Sequence, residues 1–145
     1  MNIFRFIVPK SMTETLSADA SVRQAMEKMR YHRYTALPVI DGEGRYVGTV
    51  QNDDIFQYYM ETGAYGSGRA ERDRVVDIMS DRQPKPLYHT ASMQDLFEEV
   101  KEHNFVSVVD DRGCFIGIIL RREILNFLLR YYSESEGTDG AVVER

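Results

Sequence analysis

The sequence contains one pattern twice, and this duplication restricts the chain to folds built from two similar units. The segment LSADAS at residues 16–21 lies 71 residues before LYHTAS at residues 87–92. Further along, VID at residues 39–41 lies 69 residues before VVD at residues 108–110, and Gly48 and Gly117 keep the shorter spacing. We therefore expect two copies of one structural unit, with two residues fewer in the second copy.

Each copy has the pattern of a βαββα unit. Apolar residues at i, i+3, i+4 and i+7 predict one amphipathic helix per copy. They are Val22, Ala25, Met26 and Met29 in the first copy and Met93, Leu96, Phe97 and Val100 in the second. Two apolar strands follow, joined by DGEG or DDRG, whose final Gly suits a hairpin position with φ > 0. With a short extended segment before the helix and a second helix after the hairpin, the predicted class is α+β.

The domain boundaries follow from the repeat and from local composition. The first unit is assigned to residues 1–62 and the second to residues 73–132. Residues 61–72 are polar and rich in Gly without an apolar period, so a mobile linker is predicted at residues 63–72. The polar residues 133–145 are expected to form a disordered tail.

Composition excludes several functional classes. The net charge of −5 disfavours nonspecific binding to nucleic acid, which needs a basic face. One cysteine, Cys114, and three histidines without zinc-binding spacing predict neither a disulfide framework nor a metal site. The sequence shows no membrane span, no secretory signal and no catalytic constellation. We therefore expect a cytoplasmic protein that is neither an enzyme nor dependent on a cofactor.

The duplicated pattern, with PVID, YVGTV and DDI in one copy and SVVD, CFIGII and EIL in the other, resembles the CBS-domain pair, or Bateman module. The resemblance covers nearly the whole chain. It implies two sheets packed face to face about a pseudo-two-fold axis, with two clefts that bind adenosine-containing ligands for regulation. The segments YTALPVID and GII-RR-IL are also similar to small stand-alone bacterial CBS proteins, some of which bind cyclic di-AMP.

The resemblance assigns ligand-binding roles to the start of each second helix. The family motif places a hydroxyl residue three positions before an Asp that binds ribose, while the helix N-terminus meets phosphate. The first copy keeps Asp54 but has Gln51 at the hydroxyl position. The second copy has Leu120 and Glu123 at these two positions. For Asp54 the alternative is a carboxylate that only stabilises its helix, and Glu123 is expected to contribute little.

Other residues complete the predicted site. Thr35 and Ala36, taken as the two residues absent from the second copy, are expected to form a wall beside adenine. Arg121 and Arg122 are interpreted either as a solvated pair or as phosphate ligands, since cations in the first turn of a helix oppose its dipole. The remaining candidates for ligand contact are Glu14, Leu16, Pro38 and Asn52.

Three function classes remain open at this stage, and an enzyme is the least supported of them because no catalytic constellation is visible. The first is a regulatory module that binds cyclic di-AMP, AMP, ADP, ATP or S-adenosylmethionine and signals to a partner protein. The alternative is a ligand-free dimerisation or interaction module with degenerate nucleotide motifs. The apolar second helices, with Tyr58, Tyr59, Tyr131 and Tyr132, lead us to expect a homodimer in either case.

Overall fold

The computed structural model describes residues 1–139 and contains two βαββα repeats. A separate strand, β1 (Ile7–Pro9), precedes them. The first repeat consists of β2 (Leu16–Ser17), α1 (Val22–His32), β3 (Ala36–Ile40), β4 (Tyr46–Gln51) and α2 (Asn52–Thr62). The second repeat consists of β5 (Leu87–Tyr88), α3 (Met93–Glu102), β6 (Phe105–Val109), β7 (Phe115–Leu120) and α4 (Arg121–Asp139). The predicted α+β class and the tandem arrangement are confirmed.

The first helix of each repeat begins with the same local device. Ser21 accepts a hydrogen bond from the Gln24 N–H, and Gln24 Oε1 accepts one from the Ser21 N–H. Ser92 and Asp95 form the same reciprocal pair at the start of α3. These capping boxes satisfy backbone donors that a helix N-terminus leaves free. The repeated Ser is therefore a helix-start signal in both copies.

The strands form two sheets of unequal composition. The first has the order β2-β3-β4, and the second has the order β1-β7-β6-β5. Strand β1 thus lies in the sheet of the second repeat, where Ile7 pairs with Ile119 in antiparallel register. Both hairpins end with Gly at positive φ, Gly44 at 83° and Gly113 at 81°, as predicted.

Each sheet packs one face against its own helices, which gives each repeat a separate apolar core. Leu37, Val39 and Val50 lie in the first core, and Val106, Val108 and Ile119 lie in the second. Because side chains alternate across a strand, intervening residues of β3 and β6 lie on the opposite sheet faces. Those faces form the region between the repeats.

The two hairpins meet in a symmetric backbone contact. The Tyr46 N–H donates to the Gly113 carbonyl (3.0 Å), and the Phe115 N–H donates to the Gly44 carbonyl (2.9 Å). The aromatic rings of Tyr46 and Phe115 are stacked beside this contact, with centroids 6.4 Å apart. Each repeat therefore gives and receives the same interaction, as expected for packing about a pseudo-two-fold axis.

Residues 63–72 differ from the predicted mobile linker because part of this segment packs against the first repeat. Ala64 and Ala70 are buried in a cluster with Val22 of α1 and Tyr58 of α2, and Arg69–Glu71 forms a short 3-10 helix. Two isolated alanines leave no apolar period in a sequence, yet they are small enough to pack against both helices. Sequence periodicity therefore missed this contact.

The predicted polar tail also differs in part from the structure. Helix α4 passes residue 133 and continues to Asp139. A helix whose start is held by packing has already met the cost of nucleation and gains one backbone hydrogen bond for each further residue. Residues 140–145 belong to the predicted tail and lie outside the described residues.

Candidate functional site

A cavity of about 370 Å³ opens between the two repeats. The first repeat contributes Thr35, the start of β3, parts of β4 and the start of α2, and the second contributes the end of α3 and parts of β6. We call this cavity the inter-repeat cleft. It is lined by Thr35, Ala36, Tyr46, Thr49, Gln51, Asn52 and Asp53 from the first repeat and by Pro84, Glu102, His103, Asn104, Phe105 and Ser107 from the second half of the chain.

Four predicted site residues line this cleft together: Thr35, Ala36, Gln51 and Asn52. The Asn52 N–H donates to the Thr35 carbonyl at 2.9 Å, which ties the segment before β3 to the start of α2. Asn52 and the neighbouring Asp53 are exposed, so the helix start lies at the mouth of the cleft. Thr35 and Ala36, expected to form a wall beside adenine, therefore line the cleft together with the start of α2.

Three other predicted residues have structural partners instead. Glu14 lies 3.2 Å from Lys28 Nζ and 3.8 Å from His32 Nε2, an arrangement that ties the segment before β2 to α1. Leu16 is buried in the core of the first repeat. Pro38 is buried in β3 opposite Thr49. None of the three is among the residues that line the inter-repeat cleft in the described chain.

Asp54 is a buried carboxylate at the start of α2. Its Oδ2 accepts a hydrogen bond from the Gln51 N–H at 2.8 Å, and the Ser80 N–H lies close to the carboxylate. Burial raises the pKa of Asp54, and these two backbone donors oppose that rise. The side chain lines an acidic depression beside Tyr58 rather than the inter-repeat cleft. This geometry favours the helix-stabilising alternative for Asp54.

Arg121 forms hydrogen bonds to backbone carbonyls at the C-terminal end of α3. Its Nε donates to the carbonyls of Val100 (2.7 Å) and His103 (3.1 Å), while Nη2 lies 3.5 Å from the Lys101 carbonyl. Carbonyls at a helix C-terminus are free acceptors at the negative end of the helix dipole, so a guanidinium is well placed there. The structure therefore does not direct Arg121 towards a phosphate in the inter-repeat cleft. Arg122 is exposed and Glu123 half-buried, and neither lines this cleft.

The two residues absent from the second copy are Arg33 and Tyr34, which corrects the assignment to Thr35 and Ala36. The Asn52 N–H bonds to the Thr35 carbonyl, and the Arg121 N–H bonds in the same way to the Asn104 carbonyl. Thr35 and Asn104 are therefore equivalent. The sequence comparison placed the gap too late because it paired two aromatic residues, Tyr34 and Phe105, whereas Phe105 begins β6 as Ala36 begins β3.

A group of buried hydroxyls lies deep in the cleft and was missed by the sequence analysis. The Tyr46 hydroxyl and Thr49 Oγ1 are 2.7 Å apart, and Ser107 lies nearby on β6. The β3–β4 register shifts between Val39 and Ile40, a bulge that places Tyr46 and Thr49 on one face of β4. Burial raises the pKa of Tyr46, against the effect of the Thr49 hydrogen bond, so its hydroxyl stays protonated at neutral pH. Thr49 and Ser107 are hydroxyl residues within otherwise apolar strands, and this pattern could have indicated the group from the sequence.

The cleft has an acidic mouth. Asp53 and Glu102 are exposed there, and within the described chain no Lys or Arg is among its lining residues. The positive end of the α2 dipole, at the Gln51–Asn52 junction, is the main source of positive potential. This electrostatic arrangement favours a single phosphate at the start of α2 over several phosphates beside Asp53 and Glu102.

Residues 1–139 contain neither a metal-binding cluster nor a membrane-spanning helix. No group of three or more His, Cys, Asp or Glu side chains there is arranged to hold a metal ion. No helix in that range is both long and apolar enough to cross a membrane.

The family assignment follows from the repeats and the cleft between them. The model of the CBS domain matches the sequence twice, over residues 8–61 and 75–130. The chain belongs to the CBS-domain family. CBS-domain proteins are generally regulatory, and the match indicates no catalytic domain. No curated protein sequence matches the chain.

Solved structures of CBS proteins share this fold. CbpB in complex with c-di-AMP has a TM-score of 0.81 and 22% identity, with 93% of this chain and 91% of that chain covered. Listeria monocytogenes CbpB in complex with c-di-AMP has a TM-score of 0.80 and 21% identity, with 90% and 97% covered. CBSX2 in complex with AMP has a TM-score of 0.72 and 22% identity, with 90% and 98% covered. At these identities the likeness establishes the CBS-pair fold.

Proposed function

We propose that this CBS pair is a cytoplasmic regulatory module that binds an adenine nucleotide in the inter-repeat cleft and thereby changes its affinity for a partner protein. Cyclic di-AMP, AMP, ADP and ATP are the candidate ligands. The observation that carries the proposal is the cleft itself, which combines a helix start, aromatic side chains and buried hydroxyls in one cavity. Ligands of this kind in two CBS proteins of the same fold, CbpB and CBSX2, add support.

The chemistry of the cleft suits a nucleotide with its base inside and its phosphate at the mouth. Tyr46 and Phe105 offer half-buried aromatic surface in the cavity, where a base can stack. The positive end of the α2 dipole lies at the mouth, where helix starts bind phosphate. The volume, about 370 Å³, lies at the lower end of the range for small-molecule sites, roughly 300–1,000 Å³.

A second cavity could link ligand binding in the cleft to the binding of a partner protein. An apolar groove of about 540 Å³ lies between α1 and α2, with Met29, Phe56 and Tyr59 among its lining residues. Thr35 and Asn52 line both this groove and the inter-repeat cleft. A ligand that moves either residue therefore changes both cavities, which supports signalling through the surface of α1 and α2. We keep the homodimer as part of this proposal, because Phe56, Met60, Leu129 and Tyr132 leave large apolar surfaces exposed on the second helices.

Thermal unfolding with a ligand panel tests the proposal. A ligand that binds only the folded protein at 100 times its dissociation constant adds about 2.7 kcal/mol. For a chain of this size, that gain raises the melting temperature by roughly 5–10 °C. We expect a shift with at least one of AMP, ADP, ATP and cyclic di-AMP, and none with cyclic di-GMP.

A cleft-filling variant is the matched control for this experiment. Ala36→Trp places a large side chain in the cavity and should abolish the shift, whereas Ala91→Trp, at a site away from the cleft in the second repeat, should retain it. Each variant is compared with its own ligand-free melting curve, so that a change in stability is not mistaken for a change in binding.

The alternative is a ligand-free interaction module. Two observations favour it: Gln51 replaces the motif hydroxyl, and the mouth of the cleft carries Asp53 and Glu102 without a lining Lys or Arg in the described chain. This alternative would be established if no adenine compound changed the melting temperature and the purified protein carried no nucleotide absorbing near 260 nm. Light scattering that gives the mass of one 16.8 kDa chain at micromolar concentration would contradict the dimer.

A further inference from the structure

Ser107 has a buried hydroxyl without a partner. The residue is 4% exposed, and its Oγ makes no hydrogen bond within the described structure. Its strand neighbours Val106 and Val108 lie in the core of the second repeat, so Ser107 lies on the opposite face of β6 and lines the inter-repeat cleft. An unsatisfied buried hydroxyl costs about 1–3 kcal/mol. A group that enters the cleft and bonds to Ser107 removes this cost.

The fold does not require a hydroxyl at this position. Val39 and Val108 are equivalent strand residues, so the counterpart of Ser107 in the first repeat is Pro38, which has no hydroxyl. Both residues are buried in a central strand. The same backbone position therefore works without a polar side chain.

Ser107 lies beside the hydroxyl pair formed by Tyr46 and Thr49. These two hydroxyls share one hydrogen bond, which uses one of their two protons. Ser107 lies close enough to the Tyr46 hydroxyl to lower its pKa, although the two groups are not in hydrogen-bonding geometry. The three hydroxyls together still offer two donors and several acceptor lone pairs. They can satisfy a ligand edge that carries a donor next to an acceptor.

The position of these hydroxyls selects the part of the ligand that reaches them. Thr49 and Ser107 are almost completely buried, whereas Asn52 and Asp53 at the start of α2 are exposed. Phosphate needs the helix start or a cation, and within the described chain no Lys or Arg lines the cleft. The aromatic rings of Tyr46 and Phe105, which line the same cavity, instead favour a flat base beside these buried hydroxyls.

We propose that Ser107, together with the Tyr46–Thr49 pair, is the base-recognition subsite of the cleft and binds the edge of adenine on which an amino group adjoins a ring nitrogen. This inference rests on the proposed nucleotide-binding function. The amino group donates to a hydroxyl oxygen, and the ring nitrogen accepts from a hydroxyl proton. Ser107 is thus a specificity-determining residue of the site.

The test compares AMP with purine riboside 5′-monophosphate, which lacks only the amino group, in calorimetric titrations of the full chain. The unmodified protein should prefer AMP by about five- to thirty-fold, the factor that corresponds to one or two kcal/mol. Ser107→Ala should weaken AMP by a similar factor and reduce that preference. Tyr46→Phe, which keeps the ring, should act in the same direction. Ser133→Ala, an exposed serine on α4, is the control and should change neither affinity.

Stability separates recognition from a structural role. Because Ser107 Oγ has no partner, Ser107→Ala should leave the melting temperature of the ligand-free protein unchanged or raise it. A lower melting temperature, or full AMP affinity with an unchanged preference in Ser107→Ala, would overturn the subsite while leaving the nucleotide-binding function intact. If neither AMP nor cyclic di-AMP binds the unmodified protein, the proposed function and this subsite both fail.

Discussion

The two repeats differ most where their second helices begin. At the start of α2, Asn52 and Asp53 are exposed at the mouth of the inter-repeat cleft. At the equivalent start of α4, Arg121 turns back onto the carbonyls that end α3. The strands and hairpins around these two positions are nearly the same. Side chains therefore make the two helix starts different although the backbone is the same. The start of α2 stays accessible from the cleft, whereas the first side chain of α4 is engaged with the end of α3.

The largest expected difference between the repeats concerns their equivalent glycines, Gly117 and Gly48. A Cβ at Gly117 would overlap the Val8 carbonyl oxygen, which is fixed by the β1–β7 pairing. A Cβ at Gly48 would instead meet the flexible ends of Met79 and Gln83. We expect Gly117→Ala to lower the free energy of unfolding by about 2–4 kcal/mol and Gly48→Ala by about half as much. Urea denaturation measures both, and equal losses would show that β1 adapts as easily as side chains do.

The second prediction concerns Arg121. Arg121→Ala removes a guanidinium that bonds to two carbonyls at the end of α3, and we expect a loss of about 1–2 kcal/mol. Arg122→Ala is the matched control, because this neighbouring arginine is exposed, and its change should stay within about 0.5 kcal/mol. Urea midpoints at constant slope give the comparison. A loss of ligand affinity in Arg121→Ala without a loss of stability would instead restore Arg121 as a phosphate ligand.

Where the repeats are alike, substitutions should have equal effects. Ser21→Ala and Ser92→Ala each remove a side-chain acceptor from a capping box, at a cost of about 1 kcal/mol. Circular dichroism during urea denaturation should place the two variants within a few tenths of a kcal/mol of each other. A much larger effect at one serine would mean that the two repeats do not share the energetics of this helix start.

The smallest effect is a pH dependence that arises from Asp54. Burial raises the pKa of Asp54 in the folded protein, so ionisation of this carboxyl disfavours the folded state at neutral pH. That penalty decreases as the pH falls through the folded pKa and is absent below the unfolded value, about 3.9. Asp54→Asn keeps an acceptor for the Gln51 N–H and removes the charge. It should add a few tenths of a kcal/mol at pH 7 and nothing below about pH 4.

The control for Asp54→Asn is Glu123→Gln at the equivalent, less buried position of α4. Thermal unfolding of both variants across the pH range gives the comparison. A gain at pH 7 in Glu123→Gln as large as in Asp54→Asn would show that removal of any carboxylate from this helix turn explains the effect, independently of burial.

The sequence was sufficient for the fold because local signals agreed with the tertiary arrangement. Helical periodicity, the Ser before each first helix and the Gly that ends each hairpin all act over a few residues. The candidate site was predicted only in part, since Thr35, Ala36, Gln51 and Asn52 line the cleft but Leu16 lies in a core. Whether a polar side chain faces a ligand or a neighbouring helix depends on tertiary contacts. Arg121 illustrates this limit, because its partners lie about 20 residues away in the chain.

The pairing of Ile7 with Ile119 has a consequence for how the chain folds. Strand β1 precedes its partner β7 by both hairpin strands of the first repeat and most of the second, so their contact closes a long loop. The first repeat has all the strands of its own sheet before the second is synthesised. The sheet of the second repeat is incomplete until β1 joins it. We therefore expect the first repeat to fold before the second and the docking of β1 to be a late step that completes the second sheet.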